Sequence, residues 1–438
     1  MQRISIENFG TVKKFEADVT DVMLLIGPQA SGKSTISKTI FIFKSLKDEI
    51  LDHIYANSLD KFQYPMYVLL NHIKYNFLKY FGLKPDCEKF SVKYQYSTEK
   101  HITIYKSVYN VYNIDIKLSF LLENELNFLI TEILNYKILF KEQQHKCKSL
   151  EELRELESNR RLQFNDFKSR IDPIFEEKHS HVFIPAGRSL MSTLTDQLQE
   201  IKNPDTLDYF TKSFVERINL LKTYFNDDIN ILIQNQNIAK NLDSDLTELL
   251  QKLVKKILKG EYRFNADIDK ERIYFKNNQY VKLQYASSGQ QESVWILLLI
   301  FRYILDKTSV FMVFEEPEAH LYPETQSDIV ELIGLFANVY NNQIIITTHS
   351  PYILSSFNNL LYAYQVGTKK IGDEREAVES IVNGKSWIDP ARISAYFISE
   401  DHYESIIDPE LKLIQAEKID SASSIINDKF NDLFNLDD

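Results

Sequence analysis

The chain has 438 residues, 44% hydrophobic and 26% charged, a balance that excludes a wholly disordered chain and supports a sizeable core spread over two or three domains. A formal charge of -11 argues against a surface that coats nucleic acid generally, although a local basic face is compatible with that total. Two cysteines, Cys87 and Cys147, lie far apart without metal-type spacing, which excludes a disulfide framework and fits a reducing compartment.

The opening MQRISIENFG has neither the apolar stretch nor the cleavage site of a secretory leader. The most apolar run, Val294–Leu305, is too short for a membrane span and contains Arg302. The expectation is a soluble, cytoplasmic protein. Arg3–Phe9 alternates like a strand, Phe15–Thr20 can pair back on it, and Val22–Ile26 (VMLLI) is a short buried strand. That strand delivers Gly27–Ser34, GPQASGKS, which matches G-x-x-x-x-G-K-[ST] throughout, and Ser34–Phe43 continues with helical spacing. Strand, glycine loop and helix N-terminus is the order a phosphate cradle requires. Gly27 and Gly32 let the backbone wrap an anion, Ser31 and Thr35 flank them, the Lys33 ammonium reaches the terminal phosphates, and the Ser34 hydroxyl coordinates magnesium. Residues 1–45 therefore read as an N-terminal nucleotide-binding lobe that takes its nucleotide with Mg2+.

Residues 46–178 read as an α/β insertion. Asp48–Leu83 is helical and rich in tyrosine and phenylalanine, Phe90–Leu118 alternates like two or three strands of a meander, and helices follow at Glu123–Phe140 and Ser149–Ile171. No basic stripe accompanies the aromatics, so core or partner-facing packing is preferred to base stacking. Residues 179–189 return to the ATPase lobe. His181–Ser189 (HVFIPAGRS) is an apolar strand ending in a small-residue turn at Arg188, where a nucleotide contact and a plain surface turn both remain open. His179 and His181 lack partners at metal spacing and are expected to be exposed or capping. Residues 190–260 interleave charges and leucines, as in a hairpin of helices protruding from the lobe.

Residues 261–367 read as the C-terminal ATPase lobe. Tyr262–Ile268, Arg272–Phe275 and Tyr280–Tyr285 have strand period, and Ala286–Gln291 (ASSGQQ) opens the apolar helix, placing Ser287, Ser288 and Gly289 at an anion-binding helix start. The strand Ser309–Phe314 runs into Glu315 and Glu316. Of carboxylates at the C-terminal edge of a buried parallel strand, one can hold the magnesium shell and the next can orient or deprotonate the attacking water. A helix over Tyr322–Val339 leads to the strand Gln343–Thr348 and to His349, an imidazole suited to sensing a terminal phosphate. The tail reads as a strand at Asn359–Gly367, a C-terminal extension over residues 368–438 with a mixed stretch to Ala395, and a closing helix Glu410–Phe434.

GPQASGKS, ASSGQQ, VFMVFEEPEAHLYP and ITTHSP, in this order, resemble the ABC-type ATPase heads of the structural-maintenance-of-chromosomes and OLD superfamily. The resemblance implies an α/β P-loop head of ABC type with large helical and β insertions. It makes Glu315 the Walker B acid in place of the usual aspartate, Glu316 the catalytic base, His349 the switch histidine, and Ser287–Gly289 a signature that reaches the γ-phosphate held by a second copy. Arg188 stands where the Q-loop is expected. Two heads would then close head to tail on ATP, in a dimer or larger even oligomer. Too few residues follow Gly367 for a TOPRIM nuclease, and a head of this kind resembles the ATPase subunits of anti-phage systems such as Septu and PARIS, with a separate effector protein. A recombination-type DNA ATPase is the alternative reading; nucleic acid is not indicated by charge, and no membrane partner is expected.

Overall fold

Alternation of buried and exposed residues explains the first hairpin. In β1 (Arg3–Phe9) Ile4, Ile6 and Phe9 are buried, and β2 (Val12–Asp18) pairs with it antiparallel. The computed structural model describes residues 1–56, 64–82, 89–106, 114–190, 192, 207–225, 229–240, 242–265, 270–415, 428–429 and 431–434. Next come β3 (Val22–Ile26), α1 (Lys33–Ala56), α2 (Pro65–Phe81), β4 (Ser91–Gln95), β5 (His101–Tyr105), β6 (Asp115–Leu118), α3 (Phe120–Lys146) and α4 (Leu150–Ile174).

The chain divides into two compact units, residues 1–19 with 35–181 and residues 20–34 with 182–438. In the first, the strands form one antiparallel sheet in the order β2-β1-β4-β5-β6. The division expected at residue 46 is therefore not a seam: β4, from the expected insertion, is paired over its whole length with Arg3–Glu7 of β1, which satisfies the main-chain groups along that edge. His179 and His181 are buried rather than exposed, since each meets a carboxylate: His179 pairs with Glu177, and His181 Nδ1 lies 2.8 Å from Asp48. Glu177 also takes the buried Lys44 ammonium. Burial alone would raise its carboxyl, but the His179 hydrogen bond and the Lys44 charge hold it well below the usual carboxylate range.

The second unit holds β7 (Ser180–Ile184) from Val182 onward, α5 (Tyr209–Tyr224), α6 (Ile229–Lys240), α7 (Ser244–Leu258), β8 (Glu261–Asn265), β9 (Lys270–Tyr274), β10 (Tyr280–Lys282), α8 (Ser288–Asp306), β11 (Val310–Glu315), α9 (Pro323–Asn338), β12 (Gln343–Thr348), α10 (Pro351–Gly367), α11 (Asp373–Ile381), β13 (Ile393–Ile398) and β14 (Tyr403–Ser405). Its six-stranded sheet has the order β14-β13-β3-β12-β11-β7, with β13, β3, β12 and β11 mutually parallel. Helix α8 is apolar on every side and correspondingly buried from Gln291 to Phe301. The helices α5 to α7 do not protrude. Their leucine and phenylalanine stripes, Phe214, Ile218, Leu221, Leu250, Leu253 and Ile257 among them, join α8 in one core.

Three further expectations are corrected. Asn359–Gly367 is not a strand but the end of α10: Ile353, Leu354, Phe357, Leu360 and Leu361 are buried at helical spacing behind the Ser350 cap and Pro351. Residues 410–415 are not the start of a helix. Both main-chain groups of Ile414 bond the Asn358 amide at 2.7 Å, and Ile414 bridges to Ile407. Residues 416–427 of that expected helix lie outside the described residues, as do Leu83, 107–113 and 266–269 of the expected helices and strands. Finally, the mixed stretch before Ala395 enters β13, which pairs with β3 from Ile393↔Val22 to Phe397↔Ile26.

The pairing of β13 constrains the phosphate loop. Gly27 has φ 153°, and a Cβ there would stand 1.9 Å from the Ile398 carbonyl oxygen. Gly27→Ala should therefore lose about 1–3 kcal/mol of stability with no nucleotide added, read by denaturant unfolding; wild-type stability would refute the role assigned to this approach.

Candidate functional site

Parallel register places three strand ends side by side: Thr348 opposes Ile26, and Thr347 opposes Glu315. The C-terminal edge of such a sheet is where ligands of α/β proteins bind. From β3 the loop turns through Gly27, Ala30 at φ 59° and Gly32 at φ 100° into α1, whose first turn carries no acid to compete with an anion. Ser31 and Lys33 are buried and Ser34 is exposed. The Lys33 Nζ donates to the carbonyls of Gly27 (2.9 Å) and Pro28 (2.6 Å). Burial pushes the ammonium down to about 8, with Glu316 and Glu318 partly opposing. Thr35 belongs to the first unit, where its methyl would stand 3.5 Å from a Cβ on Gly10.

At the end of β11, Glu315 is 6% exposed; its Oε2 accepts from the Ala186 N–H at 3.3 Å, and its Oε1 is buried without a hydrogen-bond partner. Glu316 adopts φ 46°, a left-handed conformation rare outside glycine. It is tied by its own N–H to the Thr347 carbonyl at 2.9 Å, and its half-exposed carboxylate stands 3.3 Å from His349 Nε2. Burial and the Lys33 charge lower the His349 imidazole below its ordinary value, against the pull of Glu316, so it is neutral at neutral pH. Lys33, Glu316 and His349 are thus brought together.

Sequence reasoning passed over two carboxylates here. Glu318 Oε1 accepts from the Thr348 hydroxyl and from the His349 N–H at 3.0 Å, which fixes the histidine's main chain; burial raises this carboxyl, with those hydrogen bonds opposing. Glu292, one turn into α8, bonds the main chain at Arg188 and Ser189. The six-residue run EEPEAH was the only signal for Glu318, and nothing in the sequence pointed to Glu292. Arg188 fits neither of its open readings. It is 0% exposed, and its guanidinium is spent on main-chain carbonyls, so it is not a surface turn and has no fork free for a phosphate.

Ser287 caps α8 in a reciprocal box with Gln290, and Gln291 holds the preceding turn through the carbonyls of Leu283, Gln284 and Ala286. Ser287 and Ser288 remain exposed. A Cβ on Gly289 would lie 2.9 Å from the His320 carbonyl oxygen, so glycine permits α8 to close on the turn after β11.

The family model described as AAA ATPase domain matches residues 1–354. The chain belongs to that family. It is an ATP-hydrolysing enzyme whose glycine loop and acidic strand end meet at one edge of a helix-flanked, largely parallel sheet. Beyond the matched residues, β13 still enters the central sheet. No match was found among curated proteins. Among solved structures the chain is similar to an SMC head bound to the C-terminal winged-helix domain of ScpA (11% identity, 94% of this chain and 99% of that one, TM-score 0.43). It is also similar to the SMC head domain from Thermotoga maritima (12% identity, 81% and 90%, TM-score 0.34). A third is an Smc head with extended coiled coil bound to the C-terminal domain of ScpA, derived from Pyrococcus furiosus (10% identity, 97% and 100%, TM-score 0.39). No described helix is long and apolar enough to cross a membrane.

The lowered Lys33 ammonium has a consequence for pH. A phosphate bound against it would favour the charged form and raise its pKa, so affinity would be complete below the free value of about 8 and be lost as pH rises through it. ATP affinity should fall roughly tenfold between about pH 7 and pH 9, measured with a fluorescent nucleotide, and Lys33→Arg should flatten that slope.

Proposed function

We propose that this ATPase closes head to tail with a second copy around ATP, and that closure and hydrolysis gate a separate effector protein. The observation that carries the reading is the Glu316–His349 pair, at 3.3 Å, beside the Lys33 loop. In this scheme Lys33 neutralises the terminal phosphates of ATP, and the cradle Gly27, Ser31, Gly32 and Ser34 surrounds them. Glu316, oriented by His349, takes a proton from the water that attacks the γ-phosphate. The buried, unpartnered Oε1 of Glu315 and the exposed Ser34 hydroxyl are hard oxygen donors of the kind Mg2+ takes. Bound there, the ion would offset charge on the β- and γ-phosphates. The start of α8, where Ser287 and Ser288 are exposed beside Gly289, supports a role in which these residues approach the nucleotide of the other copy. Control of an effector in anti-phage defence rests on the resemblance of the motifs alone.

Glu316→Gln removes the base and leaves binding intact. It should lower turnover by about 10²- to 10⁴-fold and accumulate a dimer or larger even assembly with ATP and Mg2+, seen by mass photometry. Lys33→Ala should abolish both turnover and assembly. An unchanged mass for Glu316→Gln with nucleotide would overturn head closure.

One observation favours a second reading, a nucleic-acid-responsive ATPase. Cross-strand register aligns Arg263, Arg272 and Lys282 in one row over β8, β9 and β10, with Arg263 over the Tyr274 ring at 4.8 Å and Arg272 over Tyr280 at 4.3 Å. Glu261 meets Arg263 at 3.5 Å, and a polyanion laid along the row would offset the like charges set opposite one another. This reading expects DNA-stimulated turnover that declines steeply with salt; turnover indifferent to DNA would remove it.

A further inference from the structure

A guanidinium taken wholly out of water needs an acceptor for its N–H groups, or its burial costs several kcal/mol. Arg188, 0% exposed, finds its acceptors on three separate stretches of main chain. Nε donates to the Glu292 carbonyl at 3.0 Å, one terminal nitrogen to the carbonyls of Pro185 and Glu315, both at 2.7 Å, and the other to the Glu316 carbonyl at 2.8 Å. The carboxylates of Glu292, Glu318, Glu315 and Glu316 face its charge. Glu292 completes the tie: Oε2 accepts from the Arg188 N–H and Oε1 from the Ser189 N–H, each at 3.0 Å, and Oε2 lies 3.2 Å from Arg188 Nε.

The two carbonyls at the end of this fork belong to the residues whose side chains matter most. They lie where the chain leaves β11 and Glu316 turns left-handed at φ 46°, a conformation that persists only where its surroundings over-determine it. We propose that Arg188 is a positioning residue for ATP hydrolysis: by gripping the Glu315 and Glu316 carbonyls it aims both carboxylates, and through Glu292 it couples that aim to the first turns of α8. The inference rests on the reading that the Glu315–Glu316 strand end carries the hydrolytic carboxylates. A shift of α8 caused by docking at its exposed Ser287–Ser288 end is then passed to the hydrolytic carboxylate through one carboxylate and one guanidinium. The guanidinium is suited to this because its donors are planar and fixed, whereas an ammonium acts from a single point.

The test separates positioning from scaffolding by splitting turnover from binding. Arg188→Lys keeps the charge and loses the fork. It should bind ATP within about threefold of wild type while kcat falls roughly 10²-fold, the scale of an ångström-sized misplacement of a reacting group. Glu292→Gln keeps the shape and loses the ion pair. It should show the same split with a fall of about tenfold, and adding it to Arg188→Lys should cost little more, since both act through one link. Wild-type kcat in folded Arg188→Lys overturns the proposal, as does a parallel loss of affinity, kcat and melting temperature. If Arg188→Lys is not recovered folded, Glu292→Gln decides by the same criteria. Glu316→Gln, measured alongside, keeps the two assignments apart. Normal turnover there retires Glu316 as base, while a split in Arg188→Lys would still uphold positioning, acting through Glu315.

Discussion

The parallel pairing of β3, β12 and β11 is the constraint from which the site follows. Parallel strands end on the same edge, so the glycine loop after Ile26, the acids at Glu315 and Glu316, and the histidine after Thr348 are delivered together although more than three hundred residues separate the first from the last. All five residues of β3 and all six of β11 are buried, which is why the strands read as unbroken apolar runs. A slip of one residue between β11 and β12 would turn Glu315 to the opposite face of the sheet, and one between β3 and β12 would shift the glycine loop out of line with both.

Around that edge the protein holds its polar groups with main-chain contacts more than with exposed ion pairs. Glu318 fixes the His349 N–H, Glu316 is tied to Thr347, and Arg188 joins Pro185, Glu292, Glu315 and Glu316. Buried groups held this way leave little freedom to relax, and a cost in left-handed backbone at Glu316 is met by its neighbours. The first unit uses a different device, a cluster held side chain to side chain in which buried Lys44, Glu177, His179 and His181 pair with one another and with the partly exposed Asp48.

Helices and strands with strong local signals were legible. The loop GPQASGKS, the apolar α8 and the strands that end at Glu315 and Thr348 follow from spacing and composition. The misreadings share a cause. Asn359–Gly367 read alone suggests a strand, whereas the buried set from Ile353 to Leu361, behind a Ser-Pro cap, shows the helical period. The charges interleaved among the leucines of residues 190–260 suit a protruding hairpin, but Leu221, Leu250 and Leu253 pack in one core with α8, remote in sequence.

The sequence by itself determined the chemistry-bearing groups and their order, because a phosphate loop and an acidic strand end are built from contiguous residues whose spacing is the motif. Tertiary structure alone decided that Gly27 must leave room for the Ile398 carbonyl, that Glu292 and Glu318 belong to the site, and that Arg188 grips carbonyls instead of meeting a phosphate. The reason is physical. Every residue carries the same carbonyl, so no pattern of side chains records which one a buried guanidinium or a neighbouring strand will reach until the chain has packed.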